Sequence, residues 1–185
     1  EHGNEKNVVT TYQDKITSHK AVISVPDFKL WEPDNPNLYD LVVSIKKDGE
    51  LVDQYQTYFG MRKVDYVDGI IRLNNKPLYI RGALDQAFYP DTIFTAPSDE
   101  WIKKEINMAK EMGFNLLRKH IKVEVPRYLY WADRTGMLIW AEPPNVVKWS
   151  NQSNRRFYNE LVSMIKRDYN HPSIIIWSLY NEEWG

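Results

Sequence analysis

Two hydrophobic rhythms divide this chain near residue 66. Before that point, apolar residues come in short bursts separated by turn formers, with no helical period. Val8-Val9-Thr10-Thr11-Tyr12 and Ala21-Val22-Ile23-Ser24-Val25 read as strands, the second closed by Pro26. Trp31 to Tyr39 carries two prolines and two asparagines, which predicts a loop. Leu41 to Ile45 and Leu51 to Phe59 are strand-like runs, and Asp48-Gly49 between them is a hairpin signal. Short strands with regular turns predict an all-β sandwich. Because a complete sandwich takes ~100 residues, residues 1–66 are expected to be its C-terminal part.

From Val67 the pattern becomes strand, loop, helix. Gly69 to Leu73 and Pro77 to Arg81 flank Asn74-Asn75-Lys76 and predict a hairpin-like pair, whose second strand leads into Gly82 and the polar, aromatic loop from Asp85 to Asp91. Ser98 is a helix cap, Asp99 and Glu100 suit the positive end of a helix dipole, and Ile102, Ile106 and Ala109 share a face before Gly113. Phe114 to Arg118 is the next strand. Pro126 opens a second helix with Tyr128, Leu129 and Ala132 on its apolar face, and Gly136 ends it. Met137 to Trp140 predicts a third strand reaching Glu142. Phe157, Leu161, Ile165 and Tyr169 recur at near-four spacing and mark a third helix.

The last strand, Ile174-Ile175-Ile176-Trp177, is bulky and apolar without alternation, as expected of a parallel strand covered on both faces. Repeated β-loop-α units call for a parallel sheet with right-handed crossovers. Residues 67–185 fall well short of the ~250 of a (β/α)8 barrel. Periodicity alone leaves a small open sheet and the first half of a TIM barrel equally open. A half barrel would have unpaired edges and a tendency to self-associate.

Composition narrows the function class. The formal net charge of −1 gives no reason to expect nucleic acid or an anionic membrane as partner. No apolar run approaches the ~20 residues of a membrane span. Glu1 to Asn4 has no basic or apolar leader, so no signal peptide is expected; a processed chain would look the same, which leaves a periplasmic or secreted location open. Zero cysteine excludes disulfides, thiolate metal sites and a Cys nucleophile. There is no His-x-x-x-His pair and no Asp-rich calcium loop, so neither metal nor other cofactor is expected. Six of the seven Trp fall after residue 100, which predicts the larger core there, or aromatic faces for sugar rings.

In a parallel α/β sheet, residues at the strand exits converge on one face. Here they are Asp85 and Gln86, then Arg118 and His120, then Glu142 and Asn145, and finally Asn181, Glu182 and Glu183. Each has a plainer reading alone: His120 as a bonded loop histidine, Arg118 as a partner of Glu142, Glu183 as a solvated charge. Together they suit sugar cleavage, which needs one carboxylic acid to protonate the leaving oxygen and a second carboxylate as nucleophile or base. Glu182, at the rim of an apolar strand, is the candidate acid, with desolvation to keep it protonated. Asn181 is placed to hold a sugar hydroxyl, and Arg118 to keep a second carboxylate ionised.

At Asn181-Glu182 the chain resembles glycoside hydrolase family 2, the β-galactosidase, β-glucuronidase and β-mannosidase family. The resemblance starts near Trp31. W-E-P-D-N-P-N-L-Y and Y-F-G-M-R look like the last strands of its immunoglobulin-like sandwich, and L-N-N-K-P-L-Y-I-R-G-A like the start of its catalytic barrel. G-F-N-L-L-R-K-H, A-D-R-T-G-M-L-I-W-A-E and H-P-S-I-I-I-W-S-L-Y-N-E follow in the family's order. The resemblance implies that Glu182 is the acid/base, that Asn181 contacts the sugar, that Arg118 and His120 line the sugar subsite, and that Glu142 belongs to the floor of the site. It also implies retention through a glutamate nucleophile on a later strand, beyond Gly185, so that the chain alone is inactive on its carbohydrate substrate. Two stretches depart from the family pattern. Arg118-Lys119-His120-Ile121-Lys122 replaces Arg-x-Ser-His followed by Asn or Tyr and Pro, and the loop from Asp85 lacks Asn-x-His. Both lie in the region that reads the sugar, so the sugar is left unassigned. Two other readings stay open: a non-catalytic carbohydrate-binding or scaffold module, and a different (β/α) enzyme that pairs Glu142 with Glu182.

Overall fold

The computed structural model describes residues 8–14 and 20–182. Glu183 lies outside them. Residues 8–12 and 21–25, expected as strands, join no ladder and are mostly exposed, because no neighbouring strand among the described residues pairs with them. The expected loop at Trp31 to Tyr39 instead folds a small hairpin from β1 (Trp31–Glu32) and β2 (Asn35–Pro36).

β3 (Tyr39–Lys47) and β4 (Glu50–Phe59) form the long antiparallel ribbon that Asp48-Gly49 predicts. Both turn residues have positive φ, 52° and 89°, the geometry that matches a hairpin's twist. No second sheet among the described residues packs on this ribbon, and Val42, Val43, Leu51, Val52 and Tyr55 are exposed. A sandwich is therefore not visible in these residues.

β5 (Val64–Val67), β6 (Ile70–Leu73) and β7 (Lys76–Pro77) make a three-stranded antiparallel sheet, with left-handed turns at Asp68-Gly69 and Asn74-Asn75. The expected strand Pro77 to Arg81 stops almost at once. The Asn115 side chain captures the segment instead, accepting from Arg81 N–H at 2.8 Å and donating to the Tyr79 carbonyl at 2.9 Å. The chain then enters the main sheet at β8 (Gly82–Asp85), so Asp85 ends a strand rather than opening a loop.

The main sheet runs β8, β9 (Leu116–Lys119), β10 (Leu138–Ala141) and β11 (Ile174–Trp177), all parallel and neighbours in chain order. That order matches four successive staves of a barrel. Three helices connect the later strands. α1 (Asp99–Glu111) is capped by Ser98, whose hydroxyl accepts from Trp101 N–H, and is followed by left-handed Gly113. α2 (Pro126–Thr135) begins on proline and ends at Gly136, φ 73°. α3 (Asn151–Asp168) starts with a Ser150/Ser153 capping box. Its buried residues are Phe157, Met164 and Asp168, whereas Tyr169, expected in the apolar stripe, is the exposed C-cap.

Strand alternation sorts the sheet's residues between two cores. Leu117, Ile139 and Ala141 face α1 and α2 with Ile102, Ile106, Tyr128 and Leu129. Leu116 and Leu138 face the other way, toward Trp31, Leu73 and Trp140. The N-terminal elements dock at the end of the sheet where its strands begin. Trp31 Nε1 donates to the Asp133 carbonyl at 2.8 Å, and Arg62 donates to the carbonyls of Pro172 and Ile174. The opposite end, where the strands finish, stays open for a site.

Candidate active site

Arg118 and Lys119 are adjacent on β9 and therefore point to opposite faces of the sheet. Arg118 shares its face with Leu116 and Trp140, and its guanidinium lies 4.9 Å from the Trp140 ring centroid. Its fork bridges two strand exits: Nε donates to Glu142 at 2.7 Å, and a terminal nitrogen donates to Asn181 Oδ1 at 2.7 Å. Glu142, directly after β10, is fully buried. Its second oxygen accepts from Ile121 N–H at 3.2 Å and lies 3.7 Å from His120 Nδ1. Ile121 reaches it with φ 43°, a left-handed value that is a real outlier for a β-branched residue. Such strain persists where the surroundings dictate the geometry.

Five sequence-predicted residues thus come together: Arg118, His120, Glu142, Asn145 and Asn181. The plainer reading of Arg118 also holds, since it is the ion-pair partner of Glu142. Glu182 follows Asn181 at the same strand exit, with φ 44°, and is exposed. The apolar rim expected to desolvate it is not supplied by the described residues, because β11 ends five positions earlier and Leu179 and Tyr180 are themselves exposed.

Asp85 does not join this group. It is in register with Lys119, so both point to the helix side, and there the two form a close ion pair. Gln86 is exposed on the loop that follows. Lys119 is 1% exposed and also lies 2.9 Å from Glu124, 4.0 Å from Glu105 and 3.7 Å from the Tyr128 ring centroid. Tyr89 and Tyr128 each donate to Glu105, at 3.0 and 3.1 Å. Burial pushes the Glu105 carboxyl up; Lys119 opposes this, Asp85 reinforces it, and the outcome is about 7. Burial alone would also raise Asp85, but the Lys119 ammonium outweighs it and holds that carboxyl below its ordinary value. Lys119 is raised, since its three carboxylate neighbours outweigh the cost of burial.

Sequence reasoning missed this buried network. A lysine at the end of a strand reads as a solvated residue, and only its register with Asp85 puts it beneath the helices. No cluster of His, Asp and Glu among the described residues has metal-binding geometry.

Four parallel strands in chain order, with the Arg118–Glu142 ion pair and Asn181 gathered at their exits, have the layout of a partial (β/α) barrel with its site at the strand ends. The family profile described as glycosyl hydrolases family 2 matches residues 1–62, and its TIM barrel domain matches residues 64–184. The chain belongs to glycosyl hydrolase family 2. It is 33% identical over 178 residues to a putative β-glucuronidase of Formosa agariphila, an alignment that covers 91% of this chain and 21% of that protein. It is 36% identical over 165 residues to a β-galactosidase of Leuconostoc mesenteroides, covering 83% of this chain and 16% of that protein. Among solved structures it resembles a β-glucuronidase from Ruminococcus gnavus in complex with D-glucuronic acid, with TM-score 0.82 and 29% identity, covering 87% of this chain and 28% of that one. The chain thus spans about a fifth of the length of the curated relatives it matches.

Proposed function

We propose that the chain is the part of a retaining β-glycosidase that carries the general acid/base, Glu182, and the floor of the sugar subsite. In this reading residues 1–66 are the C-terminal portion of an immunoglobulin-like sandwich, and residues 67–185 are the first half of a (β/α)8 barrel. One observation carries the proposal: Arg118 ties the exits of β10 and β11 together through Glu142 and Asn181, with Glu182 the next residue.

In the proposed reaction Glu182 protonates the glycosidic oxygen, and in the second step it deprotonates the attacking water. Asn181 and His120 face the sugar. Glu142 is a poor nucleophile, because Arg118 and the Ile121 N–H already occupy its oxygens. The nucleophile in this reading is a glutamate outside these 185 residues, ~5–5.5 Å from the acid. A carbohydrate substrate of the β-galactoside or β-glucuronide type fits the relatives. With Glu182 exposed, the substrate and the remaining strands would supply its desolvation.

The test uses the longer polypeptide that completes the barrel. Glu182→Gln is expected to slow a natural β-glycoside by ~10²–10⁴-fold and an aryl glycoside with an activated leaving group far less, since a good leaving group needs little protonation. Equal losses on the two substrates remove Glu182 from the acid role.

A further inference from the structure

Asn145 lies in the loop between β10 and α3, three residues beyond the buried Glu142. Its carboxamide makes two bonds to a single residue at the neighbouring strand exit. Nδ2 donates to the Asn181 carbonyl at 2.5 Å, and Oδ1 accepts from the Asn181 N–H at 3.3 Å. The Asn181 side chain is held separately, by Arg118. The residue directly before Glu182 is therefore gripped through both its backbone groups and its side chain.

The segment needs such a grip. The sheet's last bond to this strand is Ser178 N–H to the Ala141 carbonyl, at 2.8 Å. Beyond it the chain has no ladder partner among the described residues, and Glu182 adopts a left-handed φ that L residues avoid. The Tyr180 ring stacks on Phe157 at 5.0 Å and anchors the segment from the helix side. That contact fixes a ring, and the Ser178 hydroxyl donates to the Tyr180 carbonyl at 3.1 Å; the Asn181 carbonyl, which belongs to the peptide leading into Glu182, is held by Asn145.

We propose that Asn145 is a positioning residue for the acid/base, clipping the Asn181 backbone so that the Glu182 carboxyl meets the glycosidic oxygen. The inference rests on the proposed function and deepens it. Only a primary carboxamide offers a donor and an acceptor in one plane at this reach. Aspartate keeps the acceptor and loses the donor, and it adds a negative charge beside the carbonyl.

The experiment measures kcat/KM of the barrel-completing polypeptide and its Asn145→Ala and Asn145→Asp variants. The substrates are a dinitrophenyl β-glycoside and an alkyl β-glycoside of the same sugar. The ratio of the two constants does not depend on how much enzyme is folded, so a general loss of stability does not move it. Both variants are expected to lose about 100-fold on the alkyl glycoside, the order that an ångström of misplacement costs, and less than about 5-fold on the dinitrophenyl glycoside. An unchanged ratio in both variants overturns the inference while the function stands. A wild-type polypeptide that hydrolyses neither substrate overturns both.

Discussion

Glu105→Gln isolates one ionisation in the buried network on the helix side of the sheet. The ordinary carboxyl value of 4.5 rises to about 7 in the folded protein. Between these two values the unfolded chain has already lost the Glu105 proton while the native state retains it. The native state therefore binds more protons there, and its stability falls as pH rises from about 4.5 through about 7. At ~1.4 kcal/mol for each pH unit separating the values, the full cost is about 3 kcal/mol. The side chain is 26% exposed, and solvent screening reduces the expected effect to about 1–3 kcal/mol. Asp85 titrates below its ordinary value, outside this window. Glutamine imitates the uncharged form: its NH2 donates as the protonated carboxyl does, and its oxygen still accepts from one of the two tyrosine hydroxyls. Equilibrium urea unfolding followed by Trp fluorescence, from pH 4.5 to 8, reads the difference. The variant should match the wild type near pH 4.5 and exceed it by about 1–3 kcal/mol at pH 8. A difference that stays flat across the range refutes a raised Glu105 carboxyl.

Asp133 is fully buried and accepts from Ser173 N–H at 3.0 Å and from Tyr58 at 2.7 Å, with His171 Nδ1 at 2.6 Å. Asp133→Ala leaves these groups unmatched and should cost about 3 kcal/mol or more, read as a lower urea midpoint. Gly136 has φ 73°, and a Cβ there would stand 2.0 Å from the Pro33 carbonyl oxygen. Gly136→Ala should therefore cost more than ~1 kcal/mol and pull the β1–β2 hairpin off α2, measured as faster proteolysis within residues 31–36. Arg118→Ala strands the buried Glu142 carboxylate and should cost about 3–5 kcal/mol. Arg118→Ala with Glu142→Leu should recover most of this in the same unfolding assay; no recovery would mean that Arg118 acts through Trp140 rather than through the charge.

The sequence by itself determined the local grammar: the turns at Asp48-Gly49 and Asn74-Asn75, the Ser98 cap, proline at the start of α2, and glycine at its end. Those features are short-range, since a left-handed turn or an N-cap is decided within four residues. The order of strand-exit polar residues also set Arg118, Glu142 and Asn181 apart as site candidates, and the ordered motifs led to the family. Register and exposure lay beyond it. Asp85 and Arg118 read alike as strand-exit polar residues, yet pairing with Lys119 carries Asp85 to the helix face, while the side-chain fork of Arg118 gathers Glu142 and Asn181. Pro77 to Arg81 has strand composition, but Asn115, more than thirty residues away, takes its backbone groups. Glu182 looked desolvated because its strand is apolar; its exposure depends on where that strand stops, which is a matter of tertiary contact. Asn145 stood in the sequence among the strand-exit polar residues, and only the fold brings its amide to both backbone groups of the residue before the acid.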